Sequence, residues 1–444
     1  MNALTQYIDL YRAHRELIFS HSPEALNASR DAALDALERV GRLPHIGDEG
    51  YVKVSYNDMF APDYGINLTR RTFEANAEAA FGCTMPATAG PSGLLVNDAF
   101  VPGPRMQASL PEGVEVMSLA EAARIYPDMV SRHIASDDNS IVALNTLFVQ
   151  DGVFIRVRAG VHFDRPIQIL GIFNTSEPLL AFRRVKIFIE DGASARVLLC
   201  DHPKVSDVKY LNCRVVEASV GRDARLEIYD LEEATANTSR ASVTASEQRE
   251  GSTVELTNLY LHGGVTRNEF IPRHLGKHCT TTVNGLMIGS ANQVIDNAVS
   301  LRHTHPRCQS HQLFKYVLFE QAQGSFQGTV TITPEAPFTE AHQTDRNLLA
   351  SADARMYAMP RLIINCDEVK ASHGAATGQL DTNAIFYMQS RGIPEAEARM
   401  MLINAFMTDV LAKIQYTPLH DRLTHLVEKR LHGCETVCAG CALE

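Results

Sequence analysis

The sequence predicts a mainly β protein with helical ends, its long middle folded as a stacked β-solenoid. A turn-and-strand unit recurs at near-constant spacing, and short alternating apolar runs bounded by glycine, asparagine and aspartate fill the middle. Helical periodicity is confined to the two ends. The unit is Gly192-x-x-Ala195-x-Val197-x-Leu199. It recurs as Gly221-x-x-Ala224-x-Leu226-x-Ile228 and as Gly251-x-x-Val254-x-Leu256, at offsets of 29 and 30 residues. A turn glycine followed by side chains alternating across one sheet face, at a steady period, is what stacked coils show. A β-sandwich with hairpins of similar length is the competing arrangement, and the register loosens after Gly289.

Residues 1–138 read as a cap, mainly helical and irregular. In its first helix Leu4, Ile8, Tyr11, Leu17 and Ile18 share a face; the second has Ser22 as N-cap, Pro23 at the first helical position and Gly41 past its end. Prolines and glycines break up Leu43 to Arg105, and Ser118-Leu-Ala-Glu121 is a capping box that opens one more short helix. The β core is expected over 139–380. Helices return over 381–431: Pro394 opens one with Leu402, Phe406, Val410 and Ile414 at i, i+4 spacing, and another runs from about Pro418 to Leu431. That stripe either packs on the β body or docks a partner. A cysteine-rich tail, 432–444, closes the chain.

Composition bounds the function. The 444 residues suffice for a large core, and 45% hydrophobic with 21% charged residues is ordinary for a soluble protein. A net charge of −11 argues against nucleic acid or an anionic membrane as the main partner. No apolar run reaches the ~18 residues of a membrane span, and the polar start MNALTQYIDLYRAHRE does not read as a signal peptide. A cytoplasmic location is expected, with the nine cysteines as thiols or metal ligands rather than disulfides. GxxxxGK[ST], GxSxG, HExxH and a GxGxxG after a strand are all missing, so the chain does not read as an enzyme. A polysaccharide-cleaving solenoid would want aromatic platforms, yet aromatics are 7% and tryptophan is absent.

Three places carry ligand chemistry. His373 lies between Ser372 and Gly374, where a small-residue turn would leave its imidazole open to bind a metal or move a proton. His303-Thr-His305-Pro-Arg-Cys308, followed by His311, gathers four soft or borderline ligands; on a strand His303 and His305 would share a face, although the proline interrupts that geometry. Cys434, Cys438 and Cys441 could converge on one metal or cluster. A standalone metal-binding protein using this tail is therefore a further reading.

Two segments, 301–319 and 343–414, together resemble the SufB/SufD family of iron–sulfur cluster assembly proteins, in its SufD-type branch. The matching residues are His303, Cys308, Ser310, Gln312-Leu313 and Lys315, then Gln343, Asn347-Leu348-Leu349, Pro360-Arg361-Leu362 and Asp367-Glu368-Val369-Lys370. Ser372-His373-Gly374-Ala375, Gly378-Gln379-Leu380-Asp381, Phe386-Tyr387 and Ser390-Arg391-Gly392-Ile393 complete them. Upstream, Ala143 to Phe148 and Asp151 to Ile155 resemble the family's first core strands. Ala371 stands where many members carry cysteine, and Glu49-Gly-Tyr51 stands where a tryptophan is common. The resemblance implies a right-handed parallel β-helix between helical domains. It implies a non-catalytic scaffold that pairs with a SufB-type paralogue and docks a SufC-type ABC ATPase through its C-terminal helices. A homodimer is compatible with the paralogue's absence. His373 would then be an iron or cluster ligand at the subunit interface, with His303 and Cys308 as secondary ligands. No tightly bound cofactor is expected, only a transient iron or iron–sulfur cluster shared with the partner.

Overall fold

The computed structural model describes residues 2–70, 90–104, 106–136, 138–203 and 207–431; the Cys434/Cys438/Cys441 tail lies outside them. Two facing parallel sheets wind as one solenoid of about seven turns, each coil giving one strand to each sheet. The first sheet carries His162–Phe173, Ser194–Pro203, Arg225–Glu233, Thr253–His262, Thr280–Gly289, Gln309–Leu318, Glu340–Leu349 and Lys370–Gly378. The second carries Val153–Val157, Leu179–Ile189, Tyr210–Val220, Thr238–Gln248, Val265–His274, Val294–His303, Gln323–Ile332 and Arg355–Ile364. Parallel pairing throughout this body excludes a hairpin-built sandwich. The coils continue in step past Gly289, up to Gly378.

The repeat read from the sequence is correct in period and slipped by two residues in its middle copy. Ala195 pairs with Leu226, and Leu226 pairs with Val254; the sequence had matched Ala195 to Ala224. A two-residue slip keeps every side chain on its face, so alternation cannot detect it. The corner is what sets the register. Gly160, Gly192, Asp223, Gly251, His278, Arg307 and Phe338 all have positive φ. Each donates its N–H to the corresponding corner of the next coil, as in Gly192 to Arg222 O at 2.7 Å and Asp223 to Glu250 O at 3.0 Å. Aspartate tolerates the left-handed region, so in that coil Asp223, not Gly221, makes the turn.

Inward side chains fill the solenoid, among them Val197, Val216, Leu226, Val254, Phe314 and Phe326. A second interior layer is ionic. Arg183 meets Asp201 at 2.9 Å, and Arg214 and Arg240 both grip Asp230. Asn258 and Asn212 donate to Asp230 and Asp201 at 3.1 and 2.9 Å. Burial alone would raise the Asp230 carboxyl, but the two guanidiniums outweigh it and hold it near 2.

The helical parts depart from expectation in two places. Ser22 is not an N-cap: a short helix Glu24–Asn27 precedes Arg30–Val40, which ends on left-handed Gly41. Residues Ser140–Phe148 form a helix instead of the first core strand, capped by Asn139, whose side chain accepts from the Ile141 and Val142 N–H groups. All nine of its residues are buried, which erases the apolar stripe that reveals a helix. For the stripe Leu402, Phe406, Val410 and Ile414, the first of its two readings holds at Val410 and Ile414. The helix Glu395–Leu411 and its successor Thr417–Leu431 pack on the outer face of the first sheet, burying Val410 and Ile414 with Ile403, Met407, Tyr229, Leu259 and Val317. Leu402 and Phe406 are half-buried. Lys315 fixes this packing through Asp409 at 2.6 Å, and Arg430 through Ser290 at 2.7 Å. As expected, Ser118 Oγ caps the helix Leu119–Ile125 by accepting from Glu121 N at 3.0 Å. No helix among the described residues is long and apolar enough to cross a membrane.

Candidate functional site

The two ends of the solenoid are finished differently. At its start, Ser92–Val96 extends the first sheet, Ala99–Pro102 turns back on it, and Val114–Ser118 runs antiparallel to Val153–Val157. The helix Leu119–Ile125 covers this end by packing on Phe154 and Phe188. At its finish, Arg355–Ile364 and Lys370–Gly378 each pair on one side only among the described residues. The following helix, Thr382–Ser390, leaves this end bare. An unpaired strand edge is a template for another chain unless it is blocked. Pro360, tolerated on an edge strand, is the one proline in these two strands. Met359, Ile363 and Ile364 are exposed around it, and on the next helix Phe386 is 72% exposed.

His373 lies in the middle of the last strand, extended and paired with Gln343, not in a turn. Nothing comes within 4 Å of a Cβ built on Gly374, so that glycine answers no local steric demand. Strand alternation puts His373 in the column Gln312–Gln343–His373, whose two glutamines are buried and joined by a 3.1 Å hydrogen bond. His373 is therefore an interior-facing side chain left exposed because no coil follows it. Any strand pair laid on this end would enclose it. Ser372 projects the other way and meets His342 Nδ1 at 2.7 Å, while the His342 ring stacks on His311 at 5.5 Å. Ala371 packs with Leu362, Cys366 and Val369, so a half-buried free thiol, Cys366, shares its apolar group.

One coil below, Asp345 is fully buried in the neighbouring inward column, pairing with Ala375 above. Burial raises its carboxyl to about 7, against a lowering hydrogen bond from Asn347 Nδ2 at 2.8 Å. The folded state thus keeps a proton that the unfolded chain releases near 3.8. Stability contributed by this group is full below about pH 4 and is lost as pH rises through about 7. Asp345→Asn is expected to raise stability near pH 8 by an amount bounded at roughly 4 kcal/mol, with little change near pH 4. Urea denaturation of both proteins across this range checks it, and the difference between them cancels the same-signed contribution of Glu232, also raised to about 7 by burial.

The histidine and cysteine run is only partly brought together. The strand ends at His303, so His305 falls in the corner and the two do not share a face. His311 belongs to the His342 stack. His303 and Cys308 do converge, joined by His274 of the preceding coil, with one ligand atom from each lying within 4.8 Å of the others. Burial lowers His274 to about 3 and His303 to about 4, keeping both rings neutral. His274 was missed because sequence reading stayed within one coil. The usable signal was a His-to-Cys spacing of five, at 274/279 and 303/308, repeated after 29 residues. Tyr51, standing where the tryptophan is common, lies under Arg267 and donates to Glu269 at 3.2 Å, tying the cap to the solenoid.

Comparison with known proteins covers nearly the whole chain. Residues 1–169 match the SufBD protein N-terminal region, and residues 172–406 match the SufBD core domain of the SUF system for FeS cluster assembly. A Synechocystis iron–sulfur cluster assembly SufBD family protein is 25% identical over 97% of this chain and 98% of its own length. The Escherichia coli iron–sulfur cluster assembly protein SufD is 31% identical over 41% of this chain and 44% of its own. The Bacillus subtilis SufD is 23% identical over 72% and 74%.

Proposed function

The chain belongs to the SufBD family of iron–sulfur cluster assembly proteins, and on that premise we propose that it is a SufD-type, non-catalytic scaffold subunit. Its open last coil pairs with the equivalent edge of a SufB-type paralogue, and His373 offers an imidazole to iron or a nascent cluster in the seam. The observation that carries this reading is the asymmetry of the solenoid, closed at its first coil and bare at its last. Strand addition there would join main-chain hydrogen bonds across subunits, and the exposed Met359, Ile363 and Ile364 would be covered. Imidazole is a borderline ligand that exchanges more easily than thiolate, which suits a cargo that has to leave.

A SufC-type ABC ATPase docks on the C-terminal helices in this account. The contact lies on their outer face, where Met401 is exposed, because Val410 and Ile414 are occupied by the β body. Cys200, Cys213, Cys279, Cys308 and Cys366 form no disulfide, which suits a reducing compartment such as the cytoplasm.

Co-expression with a SufB-type paralogue and a SufC-type ATPase, followed by anaerobic size-exclusion chromatography, tests the assignment. A stable complex containing all three chains is expected. Elution of this chain apart from both partners would overturn it.

A further inference from the structure

Beneath one corner of the solenoid, two coils below the open end, lies a group of donors that the scaffold role does not use. His274 and His303 end successive strands of the second sheet, and Cys308 follows at the next corner. One ligand atom from each falls within 4.8 Å of the others, and all three residues are at most 2% exposed.

The hydrogen bonds around His274 fix its proton. Gln248 Nε2 donates to Ser252 O at 3.4 Å and Thr280 O at 3.0 Å, so Gln248 Oε1 is an acceptor. The Thr281 hydroxyl donates to that oxygen at 2.6 Å, and therefore accepts from His274 Nε2 at 2.8 Å. A neutral imidazole carries one N–H, so His274 Nδ1 is a bare lone pair, buried and without a hydrogen-bond partner. The next coil repeats the arrangement: His303 Nε2 lies 2.8 Å from Ser310 Oγ, and His303 Nδ1 also has no partner.

The buried His274 lone pair and the unpartnered His303 Nδ1 are both costly, and the two rings lie only 4.9 Å apart. A cation between them removes both deficits. Metal-bound imidazoles characteristically donate their other N–H to a protein acceptor, and Thr281 and Ser310 stand in that place.

We propose that His274 and His303, each through Nδ1, and Cys308 through Sγ bind one borderline divalent transition ion of the zinc or iron(II) class. Two imidazoles and a thiolate disfavour calcium and magnesium, which take oxygen ligands. Binding releases the Cys308 thiol proton to solvent. Cys279 lies beside the group, sharing with Cys308 a contact to Gly276 O, but is not one of the three converging ligands. The ion is resident in the body and separate from any cargo at His373, so the site stands whether or not the scaffold reading does.

Cobalt(II) titration of the full-length chain, stripped with a chelator and kept reduced, tests the site. One equivalent is expected to bind with thiolate-to-cobalt charge-transfer absorption and tetrahedral d–d bands. The same should hold in a variant with Cys434, Cys438 and Cys441 all changed to serine, and both signals should vanish in Cys308→Ser and His274→Ala. Because those buried substitutions can unfold the chain, X-ray absorption of the cobalt-loaded tail variant gives a second reading, with imidazole nitrogen and sulfur both expected in the first shell. The proposal is overturned if the tail variant binds no cobalt, if a folded Cys308→Ser protein binds it unchanged, or if the first shell lacks imidazole or sulfur.

Discussion

His373→Ala is expected to slow cluster formation on the assembled complex by at least about tenfold, the lower end of what losing even an outer-shell partner of a metal costs. Folding and pairing should be nearly unchanged. The side chain is exposed at the end of the solenoid, and exposed substitutions of this kind usually stay within roughly 0.5 kcal/mol. His373→Cys distinguishes a ligand from a spacer: a thiolate can take the same place and should recover part of the rate while slowing cluster release. Iron and sulfide content and visible absorbance of the anaerobically reconstituted complex measure both variants. An alanine variant that assembles clusters at the wild-type rate would remove His373 from the mechanism.

Asp230→Ala is expected to produce the largest loss of stability, roughly 3–5 kcal/mol, the usual cost of stripping one partner from a buried ion cluster. Arg214 and Arg240, both nearly inaccessible, would lose their nearest carboxylate and keep Asp201 at 3.5 and 3.7 Å, with Ser242 Oγ at 3.4 Å for Arg214 and Glu232 at 3.3 Å for Arg240. The same principle makes a sharper statement about pairs. Asp230→Leu combined with Arg240→Met should cost clearly less than the sum of the single changes, since the double variant buries one fewer charge of each sign. Urea denaturation of the four proteins measures this. Simple additivity would mean that the two groups are not coupled.

Much of the architecture was legible because a solenoid writes its period into the sequence through side-chain alternation and turn residues. What alternation cannot carry is register. Ala224 and Leu226 both face inward, so only the left-handed corner at Asp223 distinguishes the true alignment. The helix Ser140–Phe148 was hidden because it is buried on every side, with the polar Ser140, Asn145 and Thr146 buried among apolar residues, so no apolar stripe faces a polar one. The stripe from Leu402 to Ile414 was recognisable as apolar, but pattern alone cannot tell a face that meets a partner from one that meets its own body. The tertiary packing of Val410 and Ile414 decided that.

The candidate site was legible in identity and illegible in setting. His373 stood out by its small neighbours and by the family resemblance of the residues around it. The sequence suggested a turn, whereas the side chain belongs to an inward column that simply ends. His274 and His303 show the complementary failure: they lie 29 residues apart and touch only because one coil stacks on the next.

The central claim is that the last coil is a pairing surface. Hydrogen–deuterium exchange of the chain alone and with its SufB-type paralogue tests it most directly, because unpaired strand edges exchange freely and added strands protect them. The account predicts new protection concentrated in Arg355–Ile364 and Lys370–Gly378, including the His373 amide region, with the first coil unchanged. Protection confined to another surface, or a complex in which these two strands exchange as they do in isolation, would contradict it.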